Sequence, residues 1–378
     1  MLINSQYQSV ADIFFEQGAK APAGGSSLAI YRGGELVLDV YQGEATPGHA
    51  WNDKTMSVIF SNTKGLASIL ANQLIELGFL DPAEKVANYW PSFAQFGKAE
   101  IPVKWILQHK AGLSAVRRDL TFDELIDGHT VLDELAAQEP LWQPGAGHAY
   151  HAITFGHLVG KLIESVTGKT IGELFDQQIA QLLNVHAFIG LPDEQFANLA
   201  PLITDGTRHS QNPPKYSAQY WSEKAMTFGG ALPIEIAGDG TGFNDPRLLR
   251  TELAGAGGVM SAKSLAKIYS ATVVDTDGIR LLSDETIRSA IVPEVTGPSV
   301  WGEPGPWPIR GMGFMLNVPG YREMLSDTTF GHDGLGGQQG FADLKHQVGF
   351  GYTTSYLYSG EAEQANQQEL IRALQRVL

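Results

Sequence analysis

The segment "SVIFSNTKGLASILANQLIELG", residues 57–78, decides the interpretation of the whole chain. It is apolar almost throughout and predicts a buried helix over 58–77, ended by Gly78 with two apolar residues beyond it. Its first turn is polar and carries Ser61 and Lys64. A serine there is typical of a helix cap, but a lysine ammonium opposes the positive end of the helix dipole. The cap alone therefore leaves Lys64 unexplained.

Composition narrows the functions that the chain can have. It has 378 residues, 43% hydrophobic and 18% charged, which predicts a protein folded from end to end. Its net charge of −15 and the lack of a basic run argue against a nucleic-acid partner. Without cysteine there is no thiol nucleophile and no disulfide. No signal-peptide pattern and no membrane-spanning apolar run is found, so we expect a soluble cytoplasmic protein.

Periodicity indicates how the chain is organised. Alternating apolar residues on both sides of Gly33-Gly34 predict a hairpin near the start, and the tail turns back to strands before a final helix over 361–378. Helical spacing dominates between. We therefore predict an α/β (α+β) fold with an antiparallel sheet built from both termini and flanked by helices. Residues 1–60 and 251–378 would form the sheet domain, and 61–250 an inserted, mostly helical lobe with pocket-forming loops.

The Ser61 and Lys64 pair is the strongest chemical signal. Residues three apart lie on one face of a helix, so the amine can reach the hydroxyl. To act as a base at neutral pH, a lysine must lower its pKa by roughly three units, about 4 kcal/mol. The helix dipole supplies only about 0.3–1 kcal/mol, so burial and a second partner are needed. The same spacing recurs at Ser264 and Lys267, where an exposed surface pair is the natural interpretation.

Other candidates are weaker when taken alone. Tyr150 precedes an amphipathic helix, and it is either a half-buried core residue or a side chain that points into a cleft. The glycines of "FGHDGLGGQQGF" permit a close backbone approach or a turn in an edge strand. His148, His151 and His157 form a loose cluster, but they lack an acidic ligand at helical spacing. We expect no metal and no other cofactor.

Taken in order, "FSNTKGLAS", "WQPGAGHAYHAITFGHLVGKLIESVTGK" and "FGHDGLGGQQGFAD" resemble blocks of the serine β-lactamase and penicillin-binding-protein superfamily. The resemblance is greatest to the family VIII carboxylesterases, and it implies a class C β-lactamase-like fold. It also implies that Ser61 is the acylated nucleophile and that Lys64 and Tyr150 together form its base. The backbone N–H groups of Ser61 and Leu335 would form the oxyanion hole.

The resemblance further implies that His332, Asp333 and Gly334 take the place of the family's Lys-Thr-Gly strand and bind substrate. Two departures from the class C pattern, His332 for lysine and Ala152 for asparagine, favour a simple ester over a β-lactam. We therefore predict a serine hydrolase that cleaves short-chain carboxylic esters through an acyl-enzyme. A β-lactamase, a D-amino-acid peptidase and an acyltransferase remain alternatives, as does a binding protein without catalysis. Residues 201–250 and "VWGEPGPWPIRG" are predicted to wall the pocket.

Overall fold

The computed structural model describes residues 1–204, 206, 210 and 212–378, apart from the side chain of Glu361. The prediction that 201–250 walls the pocket thus falls partly outside the described residues. In the described part of the chain, no helix combines the length and the apolar character needed to cross a bilayer.

Most of the described strands are short, and they fall in the first fifty residues, in a few central pairs and in the tail. They are β1 (Leu2–Ile3), β2 (Gly25–Arg32), β3 (Glu35–Thr46), β4 (His49–Ala50), β5 (Ser57–Val58), β6 (Ala187–Ile189), β7 (Ile203–Thr204), β8 (Ala237–Gly238), β9 (Thr241–Gly242), β10 (Gly258–Met260), β11 (Met315–Leu316), β12 (Thr329–Asp333), β13 (Gln339–Asp343), β14 (Val348–Thr354) and β15 (Tyr356–Leu357).

Helices fill most of the middle of the chain and one helix stands at each end. They are α1 (Gln8–Ala19), α2 (Asn62–Glu76), α3 (Val86–Tyr89), α4 (Val103–Leu107), α5 (Phe122–Ile126), α6 (Thr130–Ala137), α7 (Thr154–Thr167), α8 (Ile171–Phe175), α9 (Gln181–Leu183), α10 (Ala218–Thr227), α11 (Pro246–Arg250), α12 (Ala262–Val273), α13 (Asp284–Ala290) and α14 (Gly360–Val377). A π-helical turn over Asp176–Ala180 joins α8 to α9.

The main sheet joins the two ends of the chain. Its strand order is β1-β3-β2-β14-β13-β12-β11, with β4 paired to β3, and its neighbours are antiparallel. The central contact pairs β2 with β14, from Ser26 opposite Thr354 to Arg32 opposite Val348. The predicted sheet from both termini is therefore confirmed, with the hairpin at Gly33-Gly34 in place.

Helices cover both faces of this sheet. On one face α1 and α14 enclose a core with the apolar side chains of β2, β3 and β14, among them Leu28, Val40 and Phe350. On the other face α12 lies against β14, β2 and β13. Ala262 and Ala266 meet Ala29 there, and such small residues let the helix approach closely. The largest core continues from this face through α2 into the central helices.

A small second sheet places the start of α2. Strand β10 pairs with both β5 and β6, so the chain just before α2 is fixed to residues from two distant segments. Helix α2 begins at Asn62 and not at residue 58 as predicted, because Ser57 and Val58 belong to β5 and Phe60 has a positive φ of 45°. The boundaries of the predicted lobe, 61–250, remain a prediction.

Candidate active site

Ser61 stands at the junction between β5 and α2. It is the residue before the first helical residue, yet its side chain makes no capping hydrogen bond. Phe60 just before it adopts the left-handed conformation, which is strained for a bulky residue and is found most often at functional sites. The simple interpretation of Ser61 as a cap is therefore wrong. Its hydroxyl is left for other partners.

Lys64 is one of those partners, and it is fully buried. Its Nζ lies 3.1 Å from Ser61 Oγ and donates hydrogen bonds of 2.6 Å to the carbonyl oxygens of Ala152 and Gly255. Burial, reinforced by the positive charge of Arg310, holds the pKa of Lys64 well below its usual 10.5. A neutral amine has two N–H groups and one lone pair. The two carbonyls occupy both N–H groups, which leaves the lone pair for the hydroxyl of Ser61.

Tyr150 is the second partner of Ser61. Its hydroxyl donates a 2.8 Å hydrogen bond to Ser61 Oγ. Burial raises the pKa of Tyr150 to about 12, although the bond to Ser61 and the charge of Arg310 act in the other direction. The phenol is therefore neutral at physiological pH. In this arrangement Lys64 is the group able to accept a proton, and its Nζ lies 4.8 Å from the centre of the Tyr150 ring.

Two histidines fix the loop that carries Tyr150. The Nδ1 atom of His109 accepts a hydrogen bond from the backbone N–H of His151, and the His109 ring packs against Tyr150 with 5.2 Å between ring centres. The Nε2 atom of His151 accepts a bond from the backbone N–H of Leu113. Burial lowers the pKa of both histidines, that of His151 to about 4, so they are neutral supports of the loop.

Of the three histidines that suggested a metal site, His151 and His157 contact backbone groups, whereas both ring nitrogens of His148 are buried without a hydrogen-bond partner. His151 bonds to backbone groups, as described, and His157 Nδ1 lies 3.4 Å from the carbonyl oxygen of Ile153. Burial lowers the pKa of both His157 and His148. Within residues 1–204, 206, 210 and 212–378, no group of three or more His, Asp or Glu side chains is arranged to hold a metal ion.

The residues of the third motif lie on opposite faces of β12. His332 faces Ser61: its ring stacks on Tyr150 with 6.1 Å between centres, and burial holds its pKa well below 6.5. The next side chain on a strand points the other way, and Asp333 accepts hydrogen bonds of 2.6 and 2.8 Å from the guanidinium of Arg322. The structure therefore brings His332 to the site but directs the carboxylate of Asp333 away from it.

Gly334 brings the end of β12 close to the nucleophile. A Cβ atom at this position would overlap the carbonyl oxygen of Ile59, so only glycine allows the approach. Leu335 follows and lies beside Ser61, and in the described part of the chain neither of their backbone N–H groups donates a hydrogen bond. Two N–H groups without another acceptor beside a serine hydroxyl are compatible with the predicted oxyanion hole, which remains a prediction.

A small cavity of about 20 Å³ opens between Ser61 and Leu335. Its remaining walls are mostly apolar, and they are formed by Phe60, Ala152, Ile153, Met226, Ile236, Phe243 and Ala256. Three of these residues come from the predicted pocket-forming stretch 201–250. Their part in the site had no signal in the sequence, because a single apolar residue in a loop does not reveal what it faces.

Ser264 and Lys267, which have the same spacing as Ser61 and Lys64, do not form a site of this kind. Ser264 Oγ lies 3.0 Å from Ser261 Oγ, and Lys267 Nζ donates to the carbonyl oxygen of Leu183 and pairs with Asp277. Ser264 is buried and was wrongly expected at the surface. The side chains of Ser264 and Lys267 thus have separate partners.

Arg310 is a residue of the site that sequence reasoning missed. Its guanidinium carbon lies 5.1 Å from the centre of the Tyr150 ring, and the residue is only 7% exposed. It belongs to the Trp-rich stretch that was predicted to wall the pocket. A single arginine among glycines and prolines gives no periodic pattern. The sequence could therefore indicate that this stretch lines the pocket, but not that it brings a positive charge to Tyr150.

Comparisons with known proteins agree with this geometry. The family model described as Beta-lactamase matches residues 10–374. The Esterase/beta-lactamase LipL of Mycobacterium tuberculosis is 32% identical over 366 residues, which cover 89% of this chain and 78% of that protein.

Solved structures give the same result. The crystal structure of a family VIII carboxylesterase superposes with a TM-score of 0.87 at 28% identity, covering 100% of this chain and 99% of that chain. EstA from Arthrobacter nitroguajacolicus Rue61a superposes with a TM-score of 0.86 at 29% identity, covering 100% and 98%. With these matches across nearly its full length, the chain belongs to the β-lactamase family, and within it the chain is similar to the family VIII carboxylesterases.

Proposed function

We propose that the protein is a carboxylesterase-type serine hydrolase that cleaves short-chain carboxylic esters through an acyl-enzyme. The observation that carries the proposal is the position of Ser61 Oγ, 3.1 Å from the amine of Lys64 and 2.8 Å from the hydroxyl of Tyr150. A serine hydroxyl becomes an effective nucleophile when a base lies within hydrogen-bond reach. The similarity to family VIII carboxylesterases and to the Esterase/beta-lactamase LipL supports serine ester hydrolysis.

Acylation begins with neutral Lys64. As the amine takes the proton from Ser61, Oγ attacks the ester carbonyl carbon, and the carbonyl oxygen becomes an oxyanion between the N–H groups of Ser61 and Leu335. When the ester C–O bond breaks, Tyr150 donates its proton to the leaving alkoxide and is reprotonated by the ammonium of Lys64. The alcohol departs and the acyl group stays on Ser61.

Deacylation uses the same groups in reverse. Water takes the place of the alcohol, and Tyr150 accepts its proton while Lys64 receives the proton of the phenol. The hydroxide oxygen attacks the acyl carbon, the oxyanion occupies the same two N–H groups, and Ser61 leaves with a proton restored by Lys64. No cofactor is required for any step. The structure carries no direct hydrogen bond between Tyr150 and Lys64 among its described contacts. Acylated Ser61 has no proton to pass on, so the oxygen of the departing alcohol or of the incoming water carries the proton between them.

The cavity beside Ser61 supports a preference for small acyl groups. About 20 Å³ holds a group the size of one water molecule. The methyl group of an acetyl ester needs only small adjustments of the walls, whereas a longer chain must displace Met226 or Phe243. Acetyl and propionyl esters are accordingly the substrates that this wall admits most easily.

Esters are favoured over β-lactams by the groups beside Tyr150. The side chain two residues later is the methyl group of Ala152, which offers no amide to a lactam, and the carbonyl of Ala152 is already bonded to Lys64. His332, which replaces a lysine, is held neutral by its burial. A comparison of the hydrolysis rates of p-nitrophenyl acetate and nitrocefin tests this preference, and faster turnover of nitrocefin would make the protein a β-lactamase.

Covalent labelling tests the nucleophile directly. We expect a fluorophosphonate to label the wild type and the Ser264→Ala variant equally, because Ser264 is bonded within α12 and away from Lys64. The Ser61→Ala variant should lose labelling and ester hydrolysis together. Labelling that persists in Ser61→Ala would contradict the proposal, and labelling of the wild type without turnover of any ester would favour a binding protein. The cytoplasmic location and the absence of nucleic-acid and membrane partners remain predictions from the sequence.

A further inference from the structure

Arg310 carries a charge that the described chain does not neutralise. The residue is 7% exposed, its Nε atom is enclosed without a hydrogen-bond partner, and it forms no ion pair with a described Asp or Glu. Arg322 provides the contrast, because it is 4% exposed and has a bidentate partner in Asp333. A buried and unpaired charge is strongly unfavourable, so a ligand is the natural source of the missing anion.

The acidic side chains near Arg310 do not supply it. Asp333 is held by Arg322 on the far face of β12. Glu303 is exposed, and among the groups that influence the pKa of Arg310 it has the smallest effect, after burial and after Tyr150. The other charged or titratable neighbours bring no negative charge; they are Lys64, His109, His148, His151, Tyr321, Arg322 and His332.

The position of Arg310 assigns it to one half of the substrate. It lies against the ring of Tyr150, with the guanidinium carbon 5.1 Å from the ring centre. The small cavity beside Leu335 is lined by neither Arg310 nor Tyr150. Since Tyr150 donates its proton to the leaving alcohol in the proposed mechanism, Arg310 is on the side of the alcohol and the cavity is on the side of the acyl group.

We propose that Arg310 binds a carboxylate on the alcohol part of the ester, so that the preferred substrates are short-chain acyl esters of hydroxy acids. This inference rests on the proposed esterase function and deepens it. The planar guanidinium fork matches a carboxylate with two parallel hydrogen bonds, which a neutral substituent cannot provide. Recognition of a carboxylate, which the loss of the motif lysine at His332 seemed to weaken, is thereby supplied from another part of the chain.

Two esters of nearly the same shape test the inference. The acetate esters of 3-hydroxybenzoate and 3-hydroxybenzamide differ in whether the alcohol carries a carboxylate or a neutral amide. For the wild type we expect kcat/KM to be about tenfold higher or more for the carboxylate, the usual effect of a charge-assisted hydrogen bond. In Arg310→Gln the ratio of the two kcat/KM values should fall to about one. The matched control is Arg288→Gln, because Arg288 is exposed on α13, and it should keep the wild-type ratio.

The ratio of the kcat/KM values of the two esters distinguishes a loss of carboxylate recognition from a general loss of activity. A change in the charge of Lys64 caused by Arg310→Gln affects both esters equally and cancels, and fluorophosphonate labelling verifies that the variant is folded. Equal rates for the two esters in the wild type, or equal losses in Arg310→Gln, would overturn the inference while hydrolysis of the amide-bearing ester still upholds the esterase. If the wild type hydrolyses neither these esters nor p-nitrophenyl acetate, the proposed function itself fails.

Discussion

At the scale of single residues, the proposed mechanism depends on a neutral amine, and burial of Lys64 favours that state. Lys64 has two carbonyl acceptors and no carboxylate partner among the described residues, so no opposite charge offsets the cost of burying an ammonium there. The need for an amine that resists protonation explains why a lysine lies at the unfavourable end of α2. The helix dipole adds to burial and to Arg310, and all three act against protonation.

The pH dependence of activity follows from this charge state. Because only neutral Lys64 can accept the proton of Ser61, kcat/KM should rise with pH through the lowered pKa of Lys64. It should then stay level, since burial raises the pKa of Tyr150 to about 12. A pH profile with p-nitrophenyl acetate, corrected for spontaneous hydrolysis, measures both limbs. An acid limb centred near the ordinary pKa of 10.5 would contradict a neutral Lys64.

The free energy of unfolding should also depend on the protonation of Lys64. Below pH 10.5 the unfolded chain protonates Lys64 while the folded protein does not until its lowered pKa is reached, so the unfolded state binds more protons. The free energy of unfolding of the wild type, relative to Lys64→Met, should therefore increase between pH 7 and pH 10. Urea unfolding at the two pH values measures it, and a difference that does not change with pH would place the folded pKa at its usual value.

Tyr150→Phe separates proton donation to the leaving group from other roles of the ring. We expect kcat/KM for an alkyl acetate, which reports acylation and not the shared deacylation step, to fall by about 10²–10⁴, the usual contribution of a positioned acid. The loss should be much smaller for p-nitrophenyl acetate, because p-nitrophenolate leaves without a proton. Equal losses for the two esters would assign Tyr150 to positioning or to activation of Ser61 and not to the alcohol.

Met226 lines the small cavity beside Ser61, which we propose receives the acyl group. Met226→Ala should raise kcat/KM for p-nitrophenyl hexanoate relative to the acetate by about tenfold, in line with the value of added methylene groups in an apolar pocket. Leu182→Ala is the control, because Leu182 is 51% exposed on α9 and lines no wall of the cavity. If Met226→Ala leaves the preference for acetate unchanged, the acyl chain occupies another space.

At the scale of elements, the approach of α2 to α12 depends on Gly65. A Cβ atom there would overlap the hydroxyl of Tyr269, so Gly65→Ala should lower the free energy of unfolding by about 1–3 kcal/mol. Removal of that hydroxyl in Gly65→Ala/Tyr269→Phe should recover part of the loss. Gly160 in α7 is the matched control, because its Cβ atom would lie 3.6 Å from Ile171, and Gly160→Ala should stabilise by about 0.5–1 kcal/mol. Chemical unfolding measures all three.

The elements also show what the sequence could predict. The spacing of Ser61 and Lys64 is a local property of one helix, and so is the glycine turn between β2 and β3, and both were predicted correctly. In the tail, which was predicted to turn back to strands, the segment over 311–318 is a strand only at Met315–Leu316, because the backbone at Gly313 has a φ of 87° that a regular strand does not use. The position of Arg310 against Tyr150 and the cavity at Met226 depend on loops that meet only in three dimensions. Periodicity cannot reveal such contacts.

At the scale of the whole molecule, the sheet separates two cores with different consequences. Leu374 of α14 is fully buried in the core on the α1 face, whereas Ser61 lies on the opposite side of the sheet. Leu374→Ala should therefore lower the free energy of unfolding by about 2–5 kcal/mol and leave kcat unchanged below the unfolding transition. Denaturation and kinetics on the same sample test this. A fall in kcat together with the fall in stability would mean that the structural change at Leu374 reaches the active site through the sheet.

Two features of the fold bear on protein synthesis: the pairing of β2 with β14 and the proposed contribution of Leu335 to the oxyanion hole. Ser61 is translated 274 residues before Leu335, whose N–H group we propose as the second donor of the oxyanion hole, and β14, which closes the sheet against β2, is translated later still. A chain that ends before these segments therefore contains Ser61 and Lys64 but lacks part of the proposed site, so we expect it not to hydrolyse esters efficiently.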